Sequence, residues 1–490
     1  MKTAQEYIDE TPTWSDGTKI PKVPMTPMQF RIFALACAGK FFEGLVVFMT
    51  GVALPLITIE FNLDPAAKGI VTAASLAGIL VGATALGGLA DVVGRKRMFI
   101  AEMIIFTLFL VGLTIAPSFP VLVICLFGAG LALGCDYPTA HVVISESIAS
   151  RTRGQLVLTA FAFQAVGAFF GTGIGFAILH ETAQAPNVEA WRWMYATAII
   201  PAILVIIGRF FITESPHWLI SKGQKEHAEH ELLRLLHREP AYPTKVELKN
   251  PHEGKKKPSH YGVLFNKKNR KATILASVPW FLQDLSTYGI GIFTPTILAA
   301  AIGTRVSEHG LAGVIHNDML AARGSALMDI FFFVGIIAAI ILVERVGRIK
   351  LQIVGFIGCA IGLALAALSI RADGSNDMTI LFIGFMLFYF MTNLGPNAMT
   401  YLIAGEVFPT HVRGKGAGLA ASFAKVGAVM TAFLFPILLD SIGTQALLVG
   451  LVFASLFGAV ITWMFAIETK GVNLETFDET GETGPAAPLP

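Results

Sequence analysis

Twelve apolar stretches of roughly 20 residues or more, the length a helix needs to cross ~30 Å of hydrocarbon, punctuate this chain. They fall near residues 30–57, 68–89, 98–116, 119–145, 155–180, 192–212, 273–301, 325–343, 351–370, 379–404, 416–439 and 445–467. Lipid offers no partner to a backbone N–H or C=O, so such stretches are expected to be α-helices. The connections between them are written twice. Asp91-Val92-Val93-Gly94-Arg95-Lys96-Arg97 in the first half is answered by Glu344-Arg345-Val346-Gly347-Arg348-Ile349-Lys350 in the second. Glu146 stands seven residues before Arg153-Gly154, as Glu406 stands seven before Arg413-Gly414, and the Glu214-Ser215-Pro216 corner is answered by Glu468-Thr469-Lys470-Gly471. Three matched marks in one order mean two halves on one plan, the signature of secondary transporters. The expectation is an all-α membrane protein of twelve transmembrane helices in two pseudo-symmetric six-helix bundles, 30–212 and 273–467. A tail at 1–29, a linker at 213–272 and a tail at 468–490 complete it.

Composition excludes a soluble globule, because 54% of the residues are hydrophobic and only 14% charged. A net charge of +2 argues against nucleic acid, yet 13 of the 36 Lys and Arg crowd into Thr213–Lys271. The other basic clusters, Arg95 to Arg97, Arg151 with Arg153, Arg345 with Arg348 and Lys350, and Arg413 with Lys415, fall on the same side, which predicts a plasma-membrane protein with both termini and the linker cytosolic. Cys37, Cys125, Cys135 and Cys359 lie in apolar segments and read as packing residues. Nothing in Met1 to Gln29 resembles a cleavable signal. Within the linker, Leu232, Leu233, Leu235 and Leu236 interleave with Glu and His, predicting an amphipathic helix over Lys222–Arg238 whose His227, His230 and His237 read as a solvated face and not a metal site. Glycines at 167, 171 and 175 suit close helix packing; no strand precedes them, and phosphate-loop motifs are absent, so neither a nucleotide nor any other cofactor is expected.

Ionisable groups inside spans cost at least ~2.5–3.5 kcal/mol on insertion scales and therefore face an interior with a task. Four stand out: Glu43, with Lys40 one turn before it, then Asp136, Asp284 and Lys425. Trp280, Asp284 and Tyr288 share one helical face at spacing four. Asn393 and Asn397 repeat that spacing around Pro396, which removes a backbone hydrogen bond. Gln164 offers an amide to a solute or to a neighbouring helix.

Taken together, Gly88-Leu89-Ala90-Asp91 through Arg97, Glu214-Ser215-Pro216-His217-Trp218-Leu219, Glu406-Val407-Phe408-Pro409 with Arg413-Gly414, and Glu468-Thr469-Lys470-Gly471 resemble the major facilitator superfamily and, within it, the sugar porter group. The resemblance covers nearly the whole chain and implies alternating access around a central site. Sugar porters typically carry paired Gln with Asn in helix 7 and Gly-Pro-x-x-Trp in helix 10; here stand Gln283-Asp284 and Gly395-Pro396-Asn397-Ala398-Met399. Gly134-Cys135-Asp136-Tyr137-Pro138, Gln164, Trp280, Asp284, Tyr288, Asn393-Leu394-Gly395-Pro396-Asn397 and Lys425-Val426-Gly427-Ala428 are more similar to proton-coupled phosphate symporters. That likeness implies that Tyr137, Gln164, Trp280, Asp284, Tyr288, Asn393, Asn397 and Lys425 bind solute and that Glu43, Asp136 and Asp284 couple protons. The chain departs from it in helix 1, where Glu43 replaces two Asp.

The expected function is a monomeric importer of a small polar solute with protons, an oxyanion such as inorganic phosphate first, because an anion beside Asp284 is favoured once a proton neutralises either group. A sugar, polyol or organic acid symporter is the alternative, and a non-transporting nutrient receptor the rival from another class. No convergent nucleophile, base and metal set suggests an enzyme. Asp91, Arg95, Glu146, Arg153, Glu214, Glu344, Arg348, Glu406, Arg413 and Glu468 are expected to form ion pairs within and between the halves that latch the cytosolic side.

Overall fold

A computed structural model describes residues 2–10, 25–86, 89–183, 185–237, 245–248, 261–303, 310–371, 376–408 and 412–470. The first long helix, α1 (Pro27–Phe61), opens on a capping box in which Thr26 accepts from the Gln29 N–H and Gln29 from the Thr26 N–H, with Pro27 at the first position. α2 (Pro65–Val81) starts on Asp64 and widens into a π-helical turn, Gly82–Leu86. Then come α3 (Arg95–Thr114), α4 (Phe119–Ser147), α5 (Ser150–Thr182) and α6, the last in two pieces, Ala190–Ala196 and Ile199–Phe210. The second half repeats the plan with α7 (Arg270–Gly303), α8 (Gly310–Val346), α9 (Arg348–Leu368) and α10. α10 breaks at Gly395 into Met378–Leu394 and Pro396–Glu406, since the Pro396 ring cannot continue a helix from its neighbour. The 52-residue run Arg413–Met464 bends at Gly443 (φ 78°, ψ 168°), a left-handed φ that glycine adopts freely, and its arms are α11 and α12.

Ten described helices are long and apolar enough to cross a bilayer. α7 joins them by its 34-residue length, and the Gly443 bend makes two spans of one, giving the twelve expected. Sequence and structure differ most at α8, which begins at Gly310, fifteen residues ahead of the expected 325; Asn317, Asp318 and Arg323 had masked that turn of helix. Packing obeys the repeat. α1 lies on α5 as α7 lies on the Arg413–Met464 run, α2 on α4 as α8 on α10, and α3 on α4 as α9 on α10.

The halves meet along α1–α7, α2–α11 and α5–α8, at the end away from the repeated charges. There the Thr72 hydroxyl donates to the Ala432 carbonyl (2.7 Å) and the Thr172 hydroxyl bonds Asp329 (2.8 Å). Contact is so close that a Cβ on Gly51 would stand 2.0 Å from the Ile292 carbonyl oxygen and one on Gly69 2.2 Å from that of Phe433. Toward the charged end the halves part around a cleft, bridged by the rings of Phe161 and Tyr401, stacked at 4.7 Å.

The N-terminal segment is more than a tail. Helix Ala4–Asp9 lies over the charged end, where Asp9 accepts from the Ser150 N–H (2.7 Å) and Ser150 hydroxyl (2.8 Å) at the start of α5. The amphipathic helix spans Lys225–Leu236, shorter than expected because Gly223 (φ 75°) ends the preceding turn. Its Leu232, Leu235 and Leu236 bury against Ala4, Ile8 and the first turns of α1. His227 and His230 are exposed and flank Glu231, and no metal-binding group occurs among the described residues.

Candidate functional site

Two buried charge networks occupy the bundle interior, and the larger joins the halves. Lys40 and Glu43 are three residues apart on α1, so one turn brings them together: the ammonium donates to Glu43 Oε2 (2.5 Å). Glu43 Oε1 turns toward the other half and accepts from the Tyr288 hydroxyl (2.8 Å) and Lys425 Nζ (3.3 Å). Lys425 also donates to the Tyr288 oxygen (2.6 Å) and to Asp284 Oδ2 (3.4 Å). Gln164 on α5 completes the ring, donating to Tyr288 (2.9 Å) and Glu43 (3.4 Å). Spacing four on α7 does put Trp280, Asp284 and Tyr288 on one face, and all three are buried. Two cations thus meet two carboxylates in low dielectric, where each would be prohibitive alone.

A polar extension runs from this ring. Gln283 donates to Thr287 and to Asn397 (2.9 Å each), Asn397 to Asn393 (2.5 Å), and Asn393 to the Phe332 carbonyl (2.7 Å). Asn397 faces the cleft, whereas Asn393 accepts from Asn397 on its own helix and donates across to α8, which ties α10 to α8 behind the cleft lining. The Tyr137 side chain lies outside the described residues.

The second network lies within the first half. Arg209, fully buried on α6, donates to Asp136 Oδ1 (2.6 Å), Glu102 Oε1 (3.4 Å), the Phe99 carbonyl (2.5 Å) and the Leu35 carbonyl (3.2 Å). Asp136 sits against Gly39, where a Cβ would meet its Oδ2 at 1.5 Å, so glycine at that turn of α1 makes the room. Two carboxylates share one guanidinium, so the formal charge of the cluster is not balanced by its own residues. Asp136 is thus separate from Glu43 and Asp284, although it shares a cleft wall with Lys40 and Glu43. Sequence reading missed Glu102 and Arg209; each is a lone charge inside an apolar span, the same signal that singled out Asp136.

Two narrow adjoining clefts lie against these networks. Gln164, Trp280, Asp284, Tyr288, Asn397 and Lys425 line the deeper one; Lys40, Glu43, Asp136, His141 and Tyr401 line the one nearer the charged end. Lys40 and Phe161 belong to both.

At the charged end the repeated motifs form matched knots. Arg95 pairs with Asp91 (2.8 Å) and Glu146 (3.2 Å), and Arg348 pairs with Glu344 (2.7 Å) and Glu406 (3.1 Å). Glu214 accepts from the Lys96 N–H (3.1 Å) and Glu468 from the Arg348 N–H (3.0 Å), so each corner glutamate caps the helix after its loop. Ser215 and Thr469 donate to Glu146 (2.5 Å) and Glu406 (2.6 Å). Arg413 donates to the Phe408 carbonyl (3.2 Å), while the Arg153 side chain lies outside the described residues. Among the described residues these ion pairs stay within one half. Here the charged end is parted, the state in which a latch between the halves would be undone, and the pairs seen fasten each half to itself.

Residues 32–480 match the family described as Sugar (and other) transporter. The chain is 29% identical over 445 residues to the putative metabolite transport protein YaaU of Escherichia coli (strain K12), covering 91% of this chain and 93% of that one. It is 28% identical over 448 residues to the major myo-inositol transporter IolT of Bacillus subtilis (strain 168), covering 86% and 87%. Among solved structures, the major facilitator superfamily proton:xylose symporter XylE bound to 6-bromo-6-deoxy-D-glucose superposes with a TM-score of 0.68 at 20% identity, over 91% of this chain and 98% of that one. The fold is the major facilitator fold, and the expected likeness to phosphate symporters finds no support in these relatives.

Proposed function

Because the chain belongs to the Sugar (and other) transporter family, a family of transporters and not enzymes, we propose that it is a proton-coupled symporter importing a sugar, polyol or similarly uncharged polar metabolite. One observation carries the choice of solute: the central ring is already electrically balanced. Lys40 and Lys425 are matched by Glu43 and Asp284, so no spare cation waits for phosphate, and an added anion would meet two carboxylates. What the cleft presents to a solute is the amides of Asn397 and Gln164, the Tyr288 hydroxyl and the indole of Trp280, a set that can exchange its present mutual hydrogen bonds for solute hydroxyl groups and pack on a ring face. The names of IolT and XylE, an inositol and a xylose carrier, support the same class. The phosphate reading is set aside on both counts.

Coupling follows from the same balance. A proton on Asp284 or Glu43 frees Lys425 from part of its network and lets amide and hydroxyl donors turn to the solute, so proton and solute each lower the other's cost. Asp136, Glu102 and Arg209 hold a further proton beside the cleft. We assign the charged end to the cytosol, both termini included, and the working unit to a single chain in the cytoplasmic membrane.

Uptake into proteoliposomes at external pH 5.5 to 8, with hexoses, pentoses, inositol, carboxylates and phosphate compared, tests the proposal. Uptake of one uncharged polyol or sugar that declines as external pH rises is expected; transport of phosphate alone would overturn the solute class.

A further inference from the structure

Away from the central ring, α8 carries a line of buried polar groups that neither network uses. Asp318, Ser325 and Asp329 are spaced seven and four, which places them on one face of the helix. All three are buried, and Asp318 Oδ2, Ser325 Oγ and Asp329 Oδ1 have no hydrogen-bond partner among the described residues. Asp329 touches the other half, where its Oδ2 lies 2.8 Å from the Thr172 hydroxyl of α5. Thr172 is eight residues beyond Gln164, about 12 Å farther from the charged end, so this contact closes the outer side of the carrier.

Protonation follows from the partners. The Thr172 hydroxyl has one hydrogen and also reaches the Ala168 (3.1 Å) and Phe169 (3.2 Å) carbonyls of its own helix. A second hydrogen, on the Asp329 carboxyl, satisfies all of them. No cation pairs with Asp329 among the described residues. Of the helices packed against α8, α1 and α7 offer Lys40, Glu43, Asp284 and Tyr288, which are committed to the central ring; α5 offers His180 and Glu181 in its last turn, α9 Arg348 and Lys350 at the charged end, and α10 Glu406 at that same end and Tyr389, whose hydroxyl donates to Thr294 (3.1 Å), while His316 and Arg323 stand on α8 itself. A buried carboxyl with a hydroxyl and a tyrosine for company is stable with its proton on and unstable without it.

We propose that Asp329 and Thr172 form a proton-operated latch on the outer side: closing α5 against α8 takes up one proton from the external solution, and opening releases it to the same side. Such a proton is not transported. It makes the outward–inward equilibrium respond to external pH separately from the coupling protons, and Ser325 and Asp318 mark the polar track along which outside water reaches Asp329 when the helices part. The latch rests on the chain being an alternating-access carrier and is indifferent to the solute.

The full chain, reconstituted without solute and spin-labelled at cysteines replacing Thr182 and Leu311 at the outer ends of α5 and α8, reports the latch by pulsed electron resonance between pH 5 and 9. In the parent protein the closed-to-open ratio should fall as pH rises, by up to about tenfold per unit for one linked proton. Asp329→Asn, a neutral isostere, should stay closed with the slope lost, Asp329→Glu should keep a slope, and Thr172→Val should lower the closed fraction at every pH. A parent protein whose distances ignore pH, an Asp329→Asn variant with the parental slope, or loss of the slope in Asp318→Asn with its survival in Asp329→Asn would each overturn the assignment. Since no solute is present, these outcomes are independent of whether a sugar is carried.

Discussion

Lys425 holds the central ring together, since its ammonium contacts Glu43 from one half and both Asp284 and Tyr288 from its own. Removing one partner of a buried ion pair strands the other, so Lys425→Met should destabilise the protein by about 3–5 kcal/mol, seen as a lower melting temperature in detergent. Adding Asp284→Asn should recover part of that loss, because the stranded carboxylate is gone; a double variant no more stable than Lys425→Met alone would count against the pairing. Asp284→Asn by itself should keep the protein folded yet reduce proton-driven uptake by about 5–150-fold, the span of a coupling free energy of about 1–3 kcal/mol. Glu43, Asp284, Tyr288 and Lys425 were legible in the sequence because an ionisable or polar group in an apolar run stands out. Their partnerships were not, since Glu43 and Lys425 are 382 residues apart in the chain and only the fold brings them within 3.3 Å. Asn393 shows the same limit: its spacing to Asn397 is legible, but the bond of its amide to the Phe332 carbonyl is not, since no pattern announces it.

At the level of helices, the outer seal depends on side chains that are missing. Gly51 and Gly69 let backbones touch across the halves, so a valine at either position has nowhere to go while the outer side is closed. Gly51→Val or Gly69→Val should therefore hold the carrier open outward, raising labelling of outer-side cysteines and abolishing uptake; unaltered transport would show that the observed packing is not part of the cycle. Helix boundaries were legible where caps are written plainly, as in Thr26-Pro27 and Asp64-Pro65. They were not legible at α8, whose first turns carry polar residues, nor in the run through Gly443, where a single left-handed glycine substitutes for a loop. The corner glutamates are expected from their charge to form ion pairs, and in this state Glu214 and Glu468 cap α3 and α9. Backbone N–H groups at a helix start are competitors that a charge pattern does not display.

As a whole the molecule separates its charges by mobility: the Arg95, Arg348 and Arg209 groupings each travel inside one half, whereas the Lys40–Glu43–Lys425–Asp284 ring spans both. Collapsing the proton gradient should thus end accumulation of solute but spare solute exchange, since exchange does not require the unloaded return; counterflow in vesicles with an ionophore measures it, and loss of both would argue against coupling through the ring. The duplicated plan was fully legible in the sequence, from Asp91 and Glu344 to Glu214 and Glu468. The ring that ties the two bundles also sets a speed limit. Every turnover has to undo that knot, and each additional 1.4 kcal/mol of grip would slow the swing about tenfold. Within the proposed cycle the direct contacts of Lys425, 3.3 Å to Glu43 and 3.4 Å to Asp284, are the strands expected to part first, ahead of the shorter bonds through Tyr288.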